Sequence, residues 1–234
     1  VSPAARFLMY RTAGCHPGCM QLLTTLDEVA GIIGRRAASV PRVIIGLAGQ
    51  PGSGKSTVAA HVVSLLGPSA QVLPVDGFHL PQAQLVELGR RDRMGAPDTF
   101  DIAGFVAVIR GLRQGGSLDV PGFDRVIEEP IPGGLSIAAD TRIVLVEGNY
   151  LLSEQDGWQA SVGLLDLRLY LDVDPLVRRE RLIARHIHFG KSPAAARKWA
   201  LGPDEANARL IAATAGRADY VVRLDETEGR QGGG

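Results

Sequence analysis

Residues 49–57 carry the pattern that most constrains what this chain can fold into. They read Gly49-Gln50-Pro51-Gly52-Ser53-Gly54-Lys55-Ser56-Thr57 and match G-x-x-x-x-G-K-[ST] at every required position. Glycines let backbone N–H groups point inward around phosphate oxygens, and a following helix offers its positive N-terminal end. The pattern therefore predicts a phosphate-binding loop that holds a nucleoside triphosphate.

The segments on either side of the loop supply the context that this pattern requires. Residues 42–48 form a short apolar, β-branched run that is typical of a strand buried on both faces. Thr57 to Leu66 carries apolar residues at helical spacing and stops at Gly67-Pro68, a helix-terminating pair. A strand before the loop and a helix after it favour a functional loop over a glycine-rich turn that merely resembles one.

Two side chains of the loop have predicted chemical roles. Lys55 supplies a mobile positive charge for the phosphates. Ser56 is placed to put its hydroxyl on a magnesium ion that also touches the β- and γ-phosphates. We therefore expect ATP and Mg²⁺ at this loop.

The remaining elements alternate between strands and helices, which indicates a parallel sheet covered on both faces. We predict strands at 71–75, 142–148, 167–173 and 220–222, and helices at 102–113, after Asp174-Pro175 and after Ser192-Pro193. Pro74 favours an edge position or a strand end, because a central strand would lose a ladder hydrogen bond there. Residues 118–138 resemble short strands and turns, and an amphipathic helix is predicted from Met20 onward, with Leu22, Leu23, Leu26, Val29, Ile32 and Ile33 on its apolar face. The fold class is thus α/β, a three-layer α/β/α sandwich with a mainly parallel sheet of about five strands, a small β-rich insertion and a helical lid at about 178–193.

Length and composition indicate one domain, at residues 20–226, between an N-terminal extension at 1–19 and a flexible tail at 227–234. The chain has 25 basic and 25 acidic residues, so its formal net charge is zero, and we expect neither a nucleic-acid nor a membrane partner. We expect a cytoplasmic protein that is a monomer or a homodimer. No apolar run approaches the roughly 20 residues that span a bilayer. Cys15 and Cys19 could suggest a metal or redox site, but no second Cys/His cluster follows them.

Two acids follow predicted strands, where ligands of parallel sheets bind. Asp76 comes after the strand at 71–75, and Glu147 ends the strand at 142–148. A carboxylate at Asp76 can orient and deprotonate an acceptor hydroxyl, and Phe78 and His79 beside it suit a pocket for a polar small molecule. Glu147 is placed to help hold magnesium. The alternatives are an ordinary Asp-Gly turn and a solvated strand-end carboxylate.

An arginine-rich helix has the character of a mobile basic lid. Arg178, Arg181 and Arg185 recur at three- and four-residue intervals and so share one helix face, whereas Arg179 points elsewhere. These arginines can close on the triphosphate and neutralise charge during transfer. The alternative is a solvated face paired with Glu180 and Asp174.

The motifs together resemble the uridine kinase, phosphoribulokinase and pantothenate kinase group, over roughly residues 20–224. Within that group the chain looks most like the bacterial nucleoside/nucleotide kinase-like proteins often labelled fructose transport system kinases. The resemblance is carried by the loop at 49–57 and by Asp76-Gly77-Phe78-His79, Ala96-Pro97-Asp98-Thr99-Phe100-Asp101, Val120-Pro121-Gly122-Phe123-Asp124 and Val146-Glu147-Gly148-Asn149-Tyr150, in that order.

The resemblance implies ATP-dependent phosphorylation of a small-molecule hydroxyl. By this resemblance Asp76 is the base, and Ser56 and Glu147 hold magnesium. We also expect Lys55 and Arg185 to act on the transferred group. The segment from Arg178 through Arg181 to Arg185 closes over ATP, and the acceptor is approached by His79, Asp98, Phe123, Asp124 and Arg125.

Two departures weaken the case for a nucleoside acceptor. Met94-Gly95-Ala96 replaces the Phe-Asp-His run that uridine kinases carry before Pro-Asp, and Arg125-Val126-Ile127 stands where they keep a histidine.

We therefore expect a kinase that moves the γ-phosphoryl group of ATP to an alcohol on a sugar, a nucleoside or a similar metabolite. One rival reading assigns uridine or cytidine as the acceptor. A rival interpretation of another class is a nucleotide-dependent switch or NTPase. The presence of Asp76 and the lack of a guanine-reading Asn-Lys-x-Asp pattern argue against it.

Overall fold

A six-stranded sheet organises the computed structural model, which describes residues 21–224. Its strands lie in the order β1-β8-β7-β2-β6-β3, and every neighbouring pair is parallel. A separate antiparallel pair, β4 and β5, forms a hairpin. The strands are β1 Gln21–Leu23, β2 Val43–Gly49, β3 Ala70–Pro74, β4 Leu118–Asp124, β5 Glu129–Ile137, β6 Ile143–Gly148, β7 Leu167–Leu171 and β8 Tyr220–Val222.

Helices cover both faces of the sheet, as the alternation of elements predicts. The described helices are α1 Leu26–Ala37, α2 Lys55–Leu66, α3 Gln82–Glu87, α4 Ile102–Arg113, α5 Gln159–Val162, α6 Pro175–His188, α7 Pro193–Leu201 and α8 Pro203–Ala212. No described helix combines the length and the apolarity that crossing a bilayer requires. The predicted α/β sandwich is confirmed.

The alternation of side chains along β2 explains the two layers of core. All seven of its residues are buried. Ile44 and Ala48 pack with Phe105 and Ile109 of α4 on one face, whereas Ile45 and Leu47 belong to the cluster that contains α1 and α2 on the other. Because successive side chains of a strand point to opposite faces, a run of apolar residues serves both layers at once.

The start of the described chain differs from the sequence prediction. Leu22 and Leu23 lie in β1, which pairs with β8 at the edge of the sheet, and the helix begins only at Leu26. Thr25 sets this boundary, since its side chain accepts a hydrogen bond from the Glu28 N–H while Glu28 reaches back to the Thr25 N–H. The sheet therefore has six strands rather than five. The predicted extension at 1–19 with Cys15 and Cys19, and the tail at 227–234, lie outside the described residues.

Strand β3 and the β4–β5 hairpin bring the acceptor-side motifs together. Pro74 lies at the end of β3, the edge strand, as its missing N–H predicts. Residues 75–78 then form a 3₁₀ turn that packs on β4 so tightly that a Cβ on Gly77 would lie 2.1 Å from the Pro121 carbonyl oxygen. Only glycine fits there, so the turn that carries Asp76 is held against the hairpin.

Candidate active site

The phosphate-binding loop joins β2 to α2 in the geometry that its sequence predicts. Gly52 has φ +79°, and a Cβ at this position would meet the Arg178 carbonyl oxygen at 2.5 Å, so both conformation and space require glycine. The loop thus ends at the N-terminus of α2, whose free N–H groups favour an anion. Ser53 Oγ is buried without a hydrogen-bond partner among the described residues, which leaves a hydroxyl available in the loop.

Lys55 is held inside the loop by backbone carbonyls. Its Nζ donates to the carbonyl oxygens of Gly49 at 2.9 Å and Gln50 at 3.1 Å. Burial lowers the pKa of Lys55 to about 8, although the carboxylates of Glu147 and Asp76 oppose that shift. The ammonium group is therefore a desolvated charge with no carboxylate bonded to it, which a phosphate oxygen can complement.

Glu147 reaches the loop through the register of the sheet. It pairs with Leu47 of β2 on one side and with Pro74 of β3 on the other. Its Oε1 accepts a hydrogen bond of 2.8 Å from Ser56 Oγ, and only 5% of the residue is exposed. Burial and the negative charge of Asp76 raise the pKa of Glu147. The charges of Lys55 and Arg125 oppose this shift only in part, and Glu147 forms no direct ion pair within residues 21–224.

This pair of oxygen ligands fits magnesium. Mg²⁺ prefers hard oxygen ligands and keeps several waters, so one hydroxyl and one carboxylate suffice when phosphates supply the rest. Within residues 21–224, no cluster of three or more His, Cys, Asp or Glu side chains could hold a metal without such help. The residues that would hold the ion are Ser56 and Glu147.

Asp76 lies in the same cavity as Lys55 and Glu147 and faces a cation from the hairpin. Its Oδ2 accepts a hydrogen bond of 2.9 Å from Arg125 Nη2. Burial favours a higher pKa for Asp76, but the interaction with His79 and the positive charges of Arg125, Arg185 and Lys55 outweigh it and lower the pKa. Asp76 is therefore ionised at neutral pH and can accept a proton.

His79 is fixed between two aromatic rings. Its ring centroid lies 4.0 Å from that of Phe100 and 5.0 Å from that of Phe123. Nδ1 lies 2.8 Å from the Asp76 carbonyl oxygen, and since a carbonyl only accepts, Nδ1 carries the proton. Burial lowers the pKa of His79, so the neutral imidazole keeps Nε2 as an acceptor. Phe78, in contrast, packs edge-on against Phe105 in the core.

These residues line one cavity of about 400 Å³, within the size range of small-molecule sites. The loop half of the cavity comprises residues 51, 52 and 54–57, together with Glu147, Arg181 and Arg185. The hairpin half comprises charged side chains near β4 and β5 and two neighbouring rings. The charged residues are Asp76, Arg91, Arg125, Glu128 and Lys191, and the rings are those of His79 and Phe123. A remaining wall contains Gly95, His186, Trp199, Asp204 and Asn207.

The arginines of α6 divide into two classes. Arg178 and Arg179 both bond to Glu205, and Arg178 is 1% exposed and also donates to the Pro51 carbonyl oxygen at 3.3 Å. Arg181 and Arg185 line the cavity, and neither forms an ion pair with a carboxylate of the described chain. The partner of the paired arginines is Glu205 rather than the predicted Asp174 or Glu180, because α8 packs its first turn against α6.

Some predicted site residues lie outside the cavity. Arg178 supports the loop from behind, because its guanidinium is already used by Glu205 and Pro51. Asp98 forms ion pairs with Arg93 and Arg90. Asp124 accepts from the N–H groups of Val126 and Ile127 and shapes the hairpin turn. Gly49, Gln50 and Ser53 form the base of the loop, with Gln50 Nε2 bonded to the Ala208 carbonyl oxygen.

Other lining residues have no signal in the sequence. Glu128, Arg91 and Asp204 reach the cavity through packing of the hairpin, the segment after α3 and the start of α8. Asp204 looks like an ordinary acid in a first helical turn, and Glu128 looks like a surface turn residue. Only the distances between segments identify them.

Comparison with known proteins identifies the family to which this chain belongs. Residues 44–223 match the sequence model described as "Phosphoribulokinase / Uridine kinase family". The protein of Schizosaccharomyces pombe named "Putative uridine kinase C227.14" is 36% identical over 163 residues, which are 64% of this chain and 68% of its own. "Uncharacterized protein YggC" of Escherichia coli is 31% identical over 194 residues, 81% of this chain and 80% of its own.

A solved structure shows the same fold. The crystal structure described as a "putative fructose transport system kinase" from Silicibacter sp. TM1040 matches with a TM-score of 0.79 and 34% identity. The match covers 85% of this chain and 99% of that one.

Proposed function

Because the chain belongs to the phosphoribulokinase / uridine kinase family, and is thus a phosphotransferase with a phosphate-binding loop, we propose that it transfers the γ-phosphoryl group of ATP to a hydroxyl of a small metabolite. One observation carries this proposal. The ionised carboxylate of Asp76 shares a single cavity with Lys55, Glu147 and Arg185. A base beside a phosphate loop serves transfer to an acceptor, whereas a nucleotide switch has no need of one.

The loop half is suited to the donor. Lys55, Arg181 and Arg185 are cations without a carboxylate partner in the described chain, so a triphosphate can supply their counter-charge. Ser56 and Glu147 would hold Mg²⁺, which when bound supplies charge neutralisation between the β- and γ-phosphates. Closure of α6 over the nucleotide would bring Arg185 to the transferred group.

The hairpin half is suited to the acceptor. The acceptor oxygen forms a bond to the γ-phosphorus while the bond from that phosphorus to the β–γ bridging oxygen breaks and ADP leaves. The hydroxyl proton passes to the carboxylate of Asp76. Arg125, which now bonds to Asp76 at 2.9 Å, keeps that carboxylate ionised and oriented. Catalysis then consists mainly of positioning and charge neutralisation.

A sugar such as fructose is the acceptor that we favour. Support comes from the similarity, at 34% identity, to the structure described as a "putative fructose transport system kinase", and from Arg125 at the place where uridine kinases keep a histidine. Uridine or cytidine is the second candidate, supported by the similarity to the S. pombe protein named as a uridine kinase.

A phosphorylation screen with product detection tests the proposal. Ketoses, pentoses, nucleosides and pantothenate are each incubated with the protein and magnesium-ATP, and mass spectrometry detects a gain of one phosphoryl group. We expect one acceptor class to give product, with Asp76→Asn as the inactive control. ADP and inorganic phosphate without any phosphorylated acceptor would instead indicate an NTPase.

A further inference from the structure

Glu128 occupies a backbone position that its residue type disfavours. It lies in the turn between β4 and β5 with φ +53°, and Asp156 is the one other described non-glycine residue with positive φ. Glycine or asparagine adopts this left-handed conformation at less cost. Strain of this kind persists where the surroundings impose it and clusters at functional sites. The positive φ of Glu128 makes its side-chain contacts a candidate for such a functional constraint.

The carboxylate of Glu128 joins two cations from distant segments. Arg91 Nη2 lies 2.7 Å from one oxygen, and Lys191 Nζ lies 3.4 Å from the other. Both cations are also held elsewhere, Arg91 by Gln82 Oε1 at 2.9 Å and Lys191 over the ring of Trp199 at 5.3 Å from its centroid. Glu128 thus ties the hairpin to the segment after α3 and to the end of the lid, within the wall of the cavity.

The two halves of the cavity differ in whether their charged side chains form ion pairs with each other. In the hairpin half Arg125 faces Asp76, and both Arg91 and Lys191 face Glu128. In the loop half three cations stand against the single carboxylate of Glu147. Across the described lining, six Lys and Arg side chains outnumber four Asp and Glu side chains by two. Magnesium-ATP carries roughly two negative charges and so balances the excess of positive charge in the loop half.

We infer that the acceptor enters as an uncharged polyhydroxyl molecule and that Glu128 is the residue that imposes this preference; the inference rests on the proposed kinase function. With magnesium-ATP in the loop half, the cations that remain for an acidic acceptor are Arg91, Arg125 and Lys191, and each of them is already bonded to a carboxylate of the protein. A phosphate or carboxylate on the acceptor would have to break the bonds of Glu128 to Arg91 and Lys191, and it would then face the unpaired carboxylate. Hydroxyl groups can instead bond to the same ion pairs without separating them.

Matched acceptor pairs test this inference. D-fructose is compared with D-fructose 6-phosphate, D-ribose with D-ribose 5-phosphate, and glycerol with D-glycerate, and kcat/KM is measured for each. We expect the wild-type protein to favour the neutral member of the pair that contains its acceptor. In Glu128→Gln the freed Arg91 and Lys191 should lower the neutral-to-charged ratio by about tenfold or more.

Two further variants test the direction of the change in the neutral-to-charged ratio and provide a control for it. Lys191→Gln removes a cation and leaves Glu128 in place, so the neutral-to-charged ratio should rise. Glu129→Gln removes the same charge on the same hairpin, but Glu129 bonds to the Gln82 N–H and does not line the cavity. Its ratio should stay within about twofold of the wild type. A ratio unchanged in both Glu128→Gln and Lys191→Gln would overturn the role of Glu128.

Binding of inorganic phosphate provides a readout that does not depend on turnover. The loop half is first saturated with magnesium and the non-hydrolysable analogue AMP-PNP, and phosphate is then titrated by calorimetry. We expect Glu128→Gln to bind phosphate at least about tenfold more tightly than the wild type. Equal phosphate affinity would contradict the inference.

The outcomes distinguish a failure of the uncharged-acceptor inference from a failure of the proposed kinase function. A wild-type preference for phosphorylated or carboxylated acceptors would overturn the uncharged-acceptor inference and leave the kinase function intact. Absence of any phosphorylated product, with magnesium-ATP bound, would overturn the kinase function. In that case the phosphate titration still decides whether Glu128 neutralises the hairpin half.

Discussion

The two halves of the cavity differ in how their charges are balanced. In the loop half, Lys55 bonds only to carbonyl oxygens, and Arg181 and Arg185 form no ion pair within the described chain. In the hairpin half, by contrast, every arginine and lysine faces a carboxylate of the protein, as Arg125 faces Asp76. Lys55 is the buried cation of the loop half. A buried cation without a carboxylate partner suits an anionic ligand, because desolvated charges are costly unless they are compensated.

The same helix shows this difference over a few residues. Arg178 and Arg179 of α6 share Glu205, and Arg178 supports the loop from a buried position. Arg181 and Arg185, one and two turns further on, line the cavity. The difference indicates that the loop half is built for a strongly anionic ligand, whereas the hairpin half orients a ligand by hydrogen bonds.

Removal of Lys55 should cause the largest loss of turnover, because it changes the loop half directly. Lys55→Ala takes a desolvated cation from the phosphates, and we expect turnover to fall by about 10³-fold or more. Steady-state ADP release measures this, with circular dichroism melting as the check on folding. Turnover within tenfold of the wild type would mean that Lys55 does not act on the transferred group.

Asp76→Asn should affect the hairpin half alone. The amide keeps the shape of the side chain but cannot accept a proton from the acceptor, so kcat should fall by about 10²- to 10⁴-fold. Magnesium-ATP affinity, measured by calorimetry, should be nearly retained because the phosphates lie in the other half. Near-normal kcat would exclude Asp76 as the base.

Arg185→Ala tests whether the unpaired arginines act during transfer. We expect kcat to fall by about 10²-fold while the Kd for magnesium-ATP changes less, since charge develops on the transferred group. Arg179→Ala is the matched control from the same helix, because Arg179 bonds to Glu205. Equal losses in kcat and in affinity for Arg185→Ala would make it a ground-state clamp.

Arg125→Gln should produce the smallest effect, on the pH dependence. Burial raises the pKa of Asp76, but the interaction with His79 and the charges of Arg125, Arg185 and Lys55 lower it overall. Loss of Arg125 should therefore raise that pKa, so that Asp76 becomes protonated, and inactive as a base, at a higher pH. We expect the acidic limb of the kcat/KM profile to move upward by about one pH unit.

A control variant separates this effect from a general change in charge. Arg90→Gln removes an arginine that pairs with Asp98 outside the cavity, and its profile should match that of the wild type. An acidic limb that is also unchanged in Arg125→Gln would mean that Asp76 does not govern it.

Much of the fold and of the loop half could be predicted because the signals lie in contiguous sequence. The loop pattern, the apolar run of β2 and the edge position implied by Pro74 are each readable from neighbouring residues. The predicted N-terminal helix was wrong at Leu22 and Leu23, because pairing with β8, a partner from the far end of the chain, outweighed local helical periodicity. Short edge strands depend on distant pairing and leave little local trace.

The amino-acid sequence by itself determined the phosphate loop, the α/β class and the placing of Asp76 and Glu147 at strand ends, because backbone geometry and side-chain periodicity are local properties. Only the tertiary structure decided which charges are paired. It gave Arg178 to Glu205, Arg125 to Asp76, and both Arg91 and Lys191 to Glu128. The physical reason is that an ion pair acts through space over a few ångströms, so its partners are set by how distant segments pack.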